Sequence, residues 1–218
     1  KRMTKQEFLS MNDHSLLKPQ LTRKEIMEGL QYAKENHCAS VCINPCNLDM
    51  AKEVLEGTDV AIGTVIGFPS GAHTTTAKVV EAMDAYARGA VELDMVIDIG
   101  ALKNGEYDDV YQDIKAVVDA TPAVVKVILE NAYLTKEEII KGCELAEKAG
   151  ADFVKTSTGF APSGATVEDI KLMRETVSEK VRVKAAGGIS TRADVEALAA
   201  AGADRVGVSR TREIAAEF

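Results

Sequence analysis

No apolar run in this 218-residue chain approaches the roughly 18 consecutive residues that a membrane-spanning helix requires. The first residues, Lys1 to Leu9, are polar with a helical pattern and lack the apolar segment of a secretory leader. Histidine is scarce, at three residues, and cysteine is limited to Cys38, Cys42, Cys46 and Cys143. Cys38, Cys42 and Cys46 are evenly spaced, as a metal site on one helical face would be. Asn44-Pro45 breaks any helix there, however, and Val41-Cys42-Ile43 reads as a strand. With few imidazoles to complete a ligand set, no metal is expected, and the thiols are expected to be reduced in a cytoplasmic protein. Basic charge is also in deficit: 26 Lys and Arg against 34 Asp and Glu give a formal net charge of −8. Such a surface repels nucleic-acid phosphate and anionic lipid, so neither nucleic acid nor membrane is expected as a partner.

No linker, low-complexity tract or block of like charge divides the sequence, so residues 1–218 are expected to form one domain. One pattern recurs: a helical stretch ends in Gly, then Ala, then a short β-branched run. It occurs at Gly89-Ala90, Gly150-Ala151 and Gly202-Ala203. Glycine there fits the left-handed position just past a helix C-terminus, so each copy reads as a helix-to-strand joint. Strands are expected at Met11–His14, Ser40–Asn44, Val60–Gly67, Ala90–Ile97, Ala123–Glu130, Asp152–Ser157, Val181–Ala186 and Arg205–Ser209. Helix starts between them carry a Thr N-cap followed three residues later by an acid, as in Thr22/Glu25, Thr135/Glu138 and Thr166/Asp169. Eight alternating units predict an α/β fold, a (β/α)8 TIM barrel. The alternative is an open doubly wound sheet, which lacks support because no Gly-rich dinucleotide fingerprint follows an early strand.

Successive strand side chains point to opposite faces, so parity sorts them. If the apolar faces meet the helices, Glu92, Asp94, Lys126, Lys155, Arg182 and Lys184 lie in or near the barrel interior. Buried charges are costly unless paired, and a purely structural ion-pair network is one reading. The other is chemical. A free lysine, with pKa about 10.4, is almost wholly protonated at neutral pH, and lowering it to about 7 takes about 4.6 kcal/mol. Desolvation and a second cation are the available means, and a buried pair such as Lys155 and Lys184 supplies both. Asp94 can then shuttle protons during carbinolamine formation and carbon–carbon cleavage. The trio is coherent as a class I aldolase, which needs no cofactor.

After strand seven, Ala186-Gly187-Gly188-Ile189-Ser190 enters a helix near Thr191, and after strand eight Gly207-Val208-Ser209-Arg210 enters a terminal helix. These segments suit an anion held by backbone N–H groups, and equally suit ordinary turns and caps. Thr158 and Gly159 add a hydroxyl and a glycine beside Lys155.

Several segments together resemble the deoxyribose-phosphate aldolase family. They are Asp13-His14-Ser15-Leu16-Leu17-Lys18-Pro19, Val41-Cys42-Ile43-Asn44-Pro45, Gly63 to Gly71, Glu92 to Ile97, Lys126 to Glu130, Phe153 to Phe160 and Val183 to Ile189. The resemblance runs nearly end to end. It implies reversible cleavage of 2-deoxy-D-ribose 5-phosphate to acetaldehyde and D-glyceraldehyde 3-phosphate. It further implies that Lys155 forms the imine, that Lys184 tunes it and joins a proton relay with Asp94, and that Asp13 pairs with one of these lysines. Thr158, Gly159, Gly187, Gly188, Gly207 and Ser209 match the substrate and phosphate loops. The chain departs from the family at Arg210-Thr211-Arg212, where small residues are usual. Arg210 either adds a cation to the phosphate site or decorates a helix start. A homodimer is the family expectation. The rival functions are another Schiff-base phospho-sugar aldolase of transaldolase type, and a non-catalytic barrel that binds a sugar phosphate.

Overall fold

The computed structural model describes residues 2–218. Its strands are β1 (Asn12–Leu16), β2 (Ser40–Ile43), β3 (Ala61–Ile66), β4 (Glu92–Val96), β5 (Val124–Ile128), β6 (Phe153–Lys155), β7 (Arg182–Ala186) and β8 (Arg205–Val208). They form a closed barrel in sequence order. Closure is made by β1 pairing parallel to β8, Asp13 opposite Gly207, which excludes the open sheet. The helices are α1 (Lys5–Ser10), α2 (Arg23–Glu35), α3 (Leu48–Leu55), α4 (Thr75–Ala87), α5 (Ile99–Lys103), α6 (Tyr107–Ala120), α7 (Lys136–Lys148), α8 (Val167–Thr176), α9 (Arg192–Ala201) and α10 (Thr211–Ala215).

The joints behave as their sequence predicts. Gly89, Gly150 and Gly202 have φ of 105°, 92° and 123°. The following alanine in each case donates its N–H to the carbonyl five residues back: Ala90 to Ala85, Ala151 to Ala146, Ala203 to Leu198. That bond closes the helix end and turns the chain straight into the next strand. At the other helix ends, Thr22 with Glu25 and Thr135 with Glu138 form reciprocal capping boxes. Thr166 accepts from the Asp169 N–H without the return bond.

The alternate strand residues Val41, Leu93, Met95, Val127, Val154, Val183 and Val206 are fully buried against the helices. Burial of this layer is the main driving force for the fold, at about 1.5–3 kcal/mol per side chain. Its consequence is that the opposite residues of the same strands must fill the barrel.

Arg182 is one correction to the expected interior set. It is exposed at the entry of β7, where the guanidinium stacks 4.8 Å from the centre of the Phe153 ring. As the first residue of its strand it reaches the open lower end of the barrel and keeps its charge in water. A second difference lies in β6, which stops at Lys155 rather than continuing to Ser157. Beyond it the Thr156 hydroxyl takes over the ladder, donating to the Ala186 carbonyl at 3.0 Å and accepting the Ala186 N–H at 3.1 Å.

Candidate active site

The inward residues form one ion cluster. Asp94 on β4 stands beside Lys126 on β5, Lys155 on β6 beside Lys184 on β7, and Lys184 beside Arg205 on β8. Lys155 Nζ and Lys184 Nζ each lie 2.9 Å from the same oxygen, Asp94 Oδ2. Lys184 also meets Asp13 Oδ2 at 2.6 Å. Lys126 touches three carboxylates: Glu92 at 2.6 Å, Asp13 at 2.8 Å and Asp94 Oδ1 at 3.2 Å, the last a charge contact rather than a hydrogen bond. Arg205 closes the set on Asp13 at 2.7 Å and Glu92 at 2.9 Å.

The four cations Lys126, Lys155, Lys184 and Arg205 therefore face three carboxylates, Asp13, Glu92 and Asp94. One positive charge is surplus in a region shielded from water, and the group with the fewest anionic contacts should shed its proton. That group is Lys155, which has Asp94 alone. Burial pushes its pKa down, with Lys184 adding to the effect, and Asp94 only partly restores it. For Lys184 burial acts in the same direction but is outweighed by Asp13 and Asp94, so its pKa is raised. Lys126, similarly buried, is raised well above the ordinary lysine value by Asp13, Asp94 and Glu92. Burial opposes ionisation of Asp13 and Asp94, yet the surrounding cations hold both carboxyls well below the usual range.

A cleft of about 540 Å³ opens over this cluster at the C-terminal ends of the strands, where β/α barrels build their sites. Lys155 and Lys184 form its floor, and Gly159, Gly188, Ser209 and Arg210 stand on its wall. Asp13, Thr158, Gly187 and Gly207 line the same cleft, so the residues expected to act in catalysis or substrate binding meet there except Asp94, which lies buried beneath the lysines. Among the described residues, the backbone N–H groups of Gly159, Gly188 and Ser209 have no hydrogen-bond acceptor. Gly187 and Gly188 have φ of 85° and 73°, a left-handed turn that glycine adopts without strain.

Two sequence-marked residues have committed contacts. The Thr158 hydroxyl donates to Glu130 and accepts the Phe160 N–H, so its proton is already used. Gly207 makes room for Lys184: a Cβ there would come within 2.8 Å of Lys184 Cε. Arg210 occupies the N-cap position of α10 and carries an exposed side chain beside the cleft.

Sequence reading missed Arg205, although parity with Gly207 on β8 places it inward. It weighed Cys42 only as a metal ligand, whereas the thiol shares the inward face of β2 and lines the cleft; burial, then Asp94, pushes its pKa up. Glu130 shares strand parity with Lys126 and ends the Lys126–Glu130 segment, but no role was read for it because its partner lies in the next loop.

The signature of the DeoC/LacD family aldolase matches residues 5–216. This chain belongs to that family. The aldolase is 55% identical to the deoxyribose-phosphate aldolase of Thermoanaerobacter pseudethanolicus, over 95% of each chain. It is 53% identical to that of Caldanaerobacter subterraneus subsp. tengcongensis, covering 99% of this chain and 97% of the other. Among solved structures it superposes on the tetrameric deoxyribose phosphate aldolase from Aeropyrum pernix with a TM-score of 0.92 at 29% identity, covering 99% of this chain and 92% of that one.

Proposed function

We propose that this chain is a class I aldolase that reversibly cleaves 2-deoxy-D-ribose 5-phosphate to acetaldehyde and D-glyceraldehyde 3-phosphate, with Lys155 as the Schiff-base lysine. The observation that carries the assignment of Lys155 is the charge imbalance inside the barrel, which leaves this lysine the least compensated of the cations.

Neutral Lys155 attacks the C1 aldehyde, giving a carbinolamine. Lys184, kept protonated by Asp13 and Asp94, donates to the departing hydroxyl, and water leaves as the protonated imine forms. Removal of the C3 hydroxyl proton then breaks the C2–C3 bond. Its electron pair passes into the iminium to give an enamine, and glyceraldehyde 3-phosphate departs with a new carbonyl at the former C3. Protonation of the enamine carbon and hydrolysis release acetaldehyde and regenerate the amine. Asp94 rests as a carboxylate, and its Oδ2, 2.9 Å from both lysine nitrogens, takes a proton from one and returns it to the other, linking the two lysines into one proton path.

The 5-phosphate binds to the amides of Gly159, Gly188 and Ser209, with Gly187 shaping the loop and Arg210 as the exposed cation beside it. The net charge of −8 does not oppose this, because a small ester samples the local field of the cleft rather than the whole surface.

The test is borohydride reduction in the presence of acetaldehyde, followed by peptide mass mapping. The expected product is a reduced two-carbon adduct on Lys155. An adduct on Lys184, or none, overturns the assignment.

A further inference from the structure

Glu130 is a buried acid that the chemistry above leaves unused. It follows β5, is 2% exposed, and has a left-handed backbone with φ 59° and ψ 65°, a conformation that side chains disfavour. The turn it makes sets the Asn131 N–H on the Thr156 carbonyl at 2.9 Å. It also aims the carboxylate across to the loop after β6. There Thr158 donates its N–H to Oε1 at 3.1 Å and its hydroxyl to Oε2. Thr158 Oγ1 in turn accepts the Phe160 N–H at 3.0 Å.

Thr158-Gly159-Phe160 is thus pinned at two of its three amides, and the remaining one, on Gly159, is the amide without an acceptor among the described residues. A negative charge close to a phosphate-binding loop is unfavourable for anion affinity, so electrostatics alone gives no reason for an acid here. Geometry does: the carboxylate gives each of the two Thr158 donors its own oxygen, so both are held at once.

We propose that Glu130 is a positioning residue for the phosphate subsite, fixing the loop so that Gly159 presents its N–H to the 5-phosphate. This rests on the phosphate reading of the cleft given above. Glu130 touches neither the lysines nor Asp94, so its loss should weaken capture of the phosphate and spare the chemistry at C1.

The experiment compares cleavage of 2-deoxyribose 5-phosphate with cleavage of unphosphorylated 2-deoxyribose by wild type, Glu130→Ala, Glu130→Gln and Thr158→Val. Glu130→Ala should raise KM for the phosphorylated sugar roughly ten-fold, the effect of losing hydrogen bonds to a buried charge. Its kcat should stay within about two-fold, and kcat/KM for the unphosphorylated sugar should not change. Glu130→Gln keeps an oxygen for the Thr158 N–H and should recover part of the KM. Thr158→Val removes the hydroxyl link while keeping the acid and should raise KM for the phosphorylated sugar, whether or not Glu130→Ala folds. An unchanged KM in Thr158→Val, or equal losses on both sugars, overturns the positioning role. A wild-type enzyme with the same kcat/KM for both sugars overturns the phosphate reading itself, and the proposal with it.

Discussion

Lys155 and Lys184 stand opposite each other on β6 and β7 and share one carboxylate oxygen, Asp94 Oδ2, at 2.9 Å each. Lys184 has a second carboxylate in Asp13, at 2.6 Å, and Lys155 does not. This asymmetry divides two chemically identical side chains into an amine that can lose its proton and an ammonium that keeps it.

Replacing Lys184 with leucine removes the surplus charge. Three cations would then face three carboxylates, and Asp94 would be left to hold the Lys155 ammonium. The pKa of Lys155 should rise, moving the acidic limb of the pH–rate profile to higher pH and nearly abolishing turnover at neutrality. The pH dependence of borohydride trapping with acetaldehyde measures this directly. An unmoved profile would make Lys184 a structural residue.

Asp94→Asn should separate imine formation from turnover. Lys155 loses its only anionic contact, so its pKa falls further and acetaldehyde is still trapped. The proton path through Oδ2 is gone, however, and kcat should drop by about 10²- to 10⁴-fold. Turnover near the wild-type rate would refute the relay.

Gly207→Ala tests the space given to Lys184. The added Cβ would sit 2.8 Å from Lys184 Cε, and that chain cannot swing aside because its ammonium is held by Asp13 and Asp94. Overpacking of this kind costs about 1–3 kcal/mol. Loss of kcat should exceed any loss of phosphate-dependent KM. The reverse pattern would assign Gly207 to phosphate contact alone.

His14 should make stability pH-dependent on the acid side. Its Nδ1 lies 2.7 Å from Thr211 Oγ1, and burial, with Arg212, lowers its pKa from 6.5 to about 4. The unfolded chain takes up this proton as pH falls through 6.5, whereas the folded protein resists until about 4. Stability is therefore lost on acidification across that window, by about 3 kcal/mol. Urea unfolding at about pH 7 and about pH 4.5 should show a smaller difference in His14→Gln than in wild type. Equal differences would mean that His14 does not carry the effect.

Much of the architecture is legible in the chain because it is local. Gly-Ala joints, Thr caps and strand parity are each set by neighbouring residues, and they predict eight parallel units with charges turned inward. Arg182 shows the limit of parity: it has the right alternation but sits at a strand entry, where the barrel is open to water. Arg205 shows the converse, since β8 is short and only closure against β1 reveals that its side chain completes the ion cluster.

By itself, then, the sequence determined which residues could carry the chemistry: two lysines and an aspartate on inward-facing strand positions, with glycine-rich loops after the last strands. Only the tertiary structure decided how they differ. Whether a buried lysine is charged depends on how many carboxylates surround it, and those come from β1 and β4, distant in the chain from both Lys155 and Lys184. Likewise, whether Thr158 binds a ligand or is held in place depends on where its proton goes, and Glu130 reaches it from the far side of α7 in sequence but from the adjacent strand in space. Electrostatics and hydrogen bonding act through distance in space, which one-dimensional spacing does not encode.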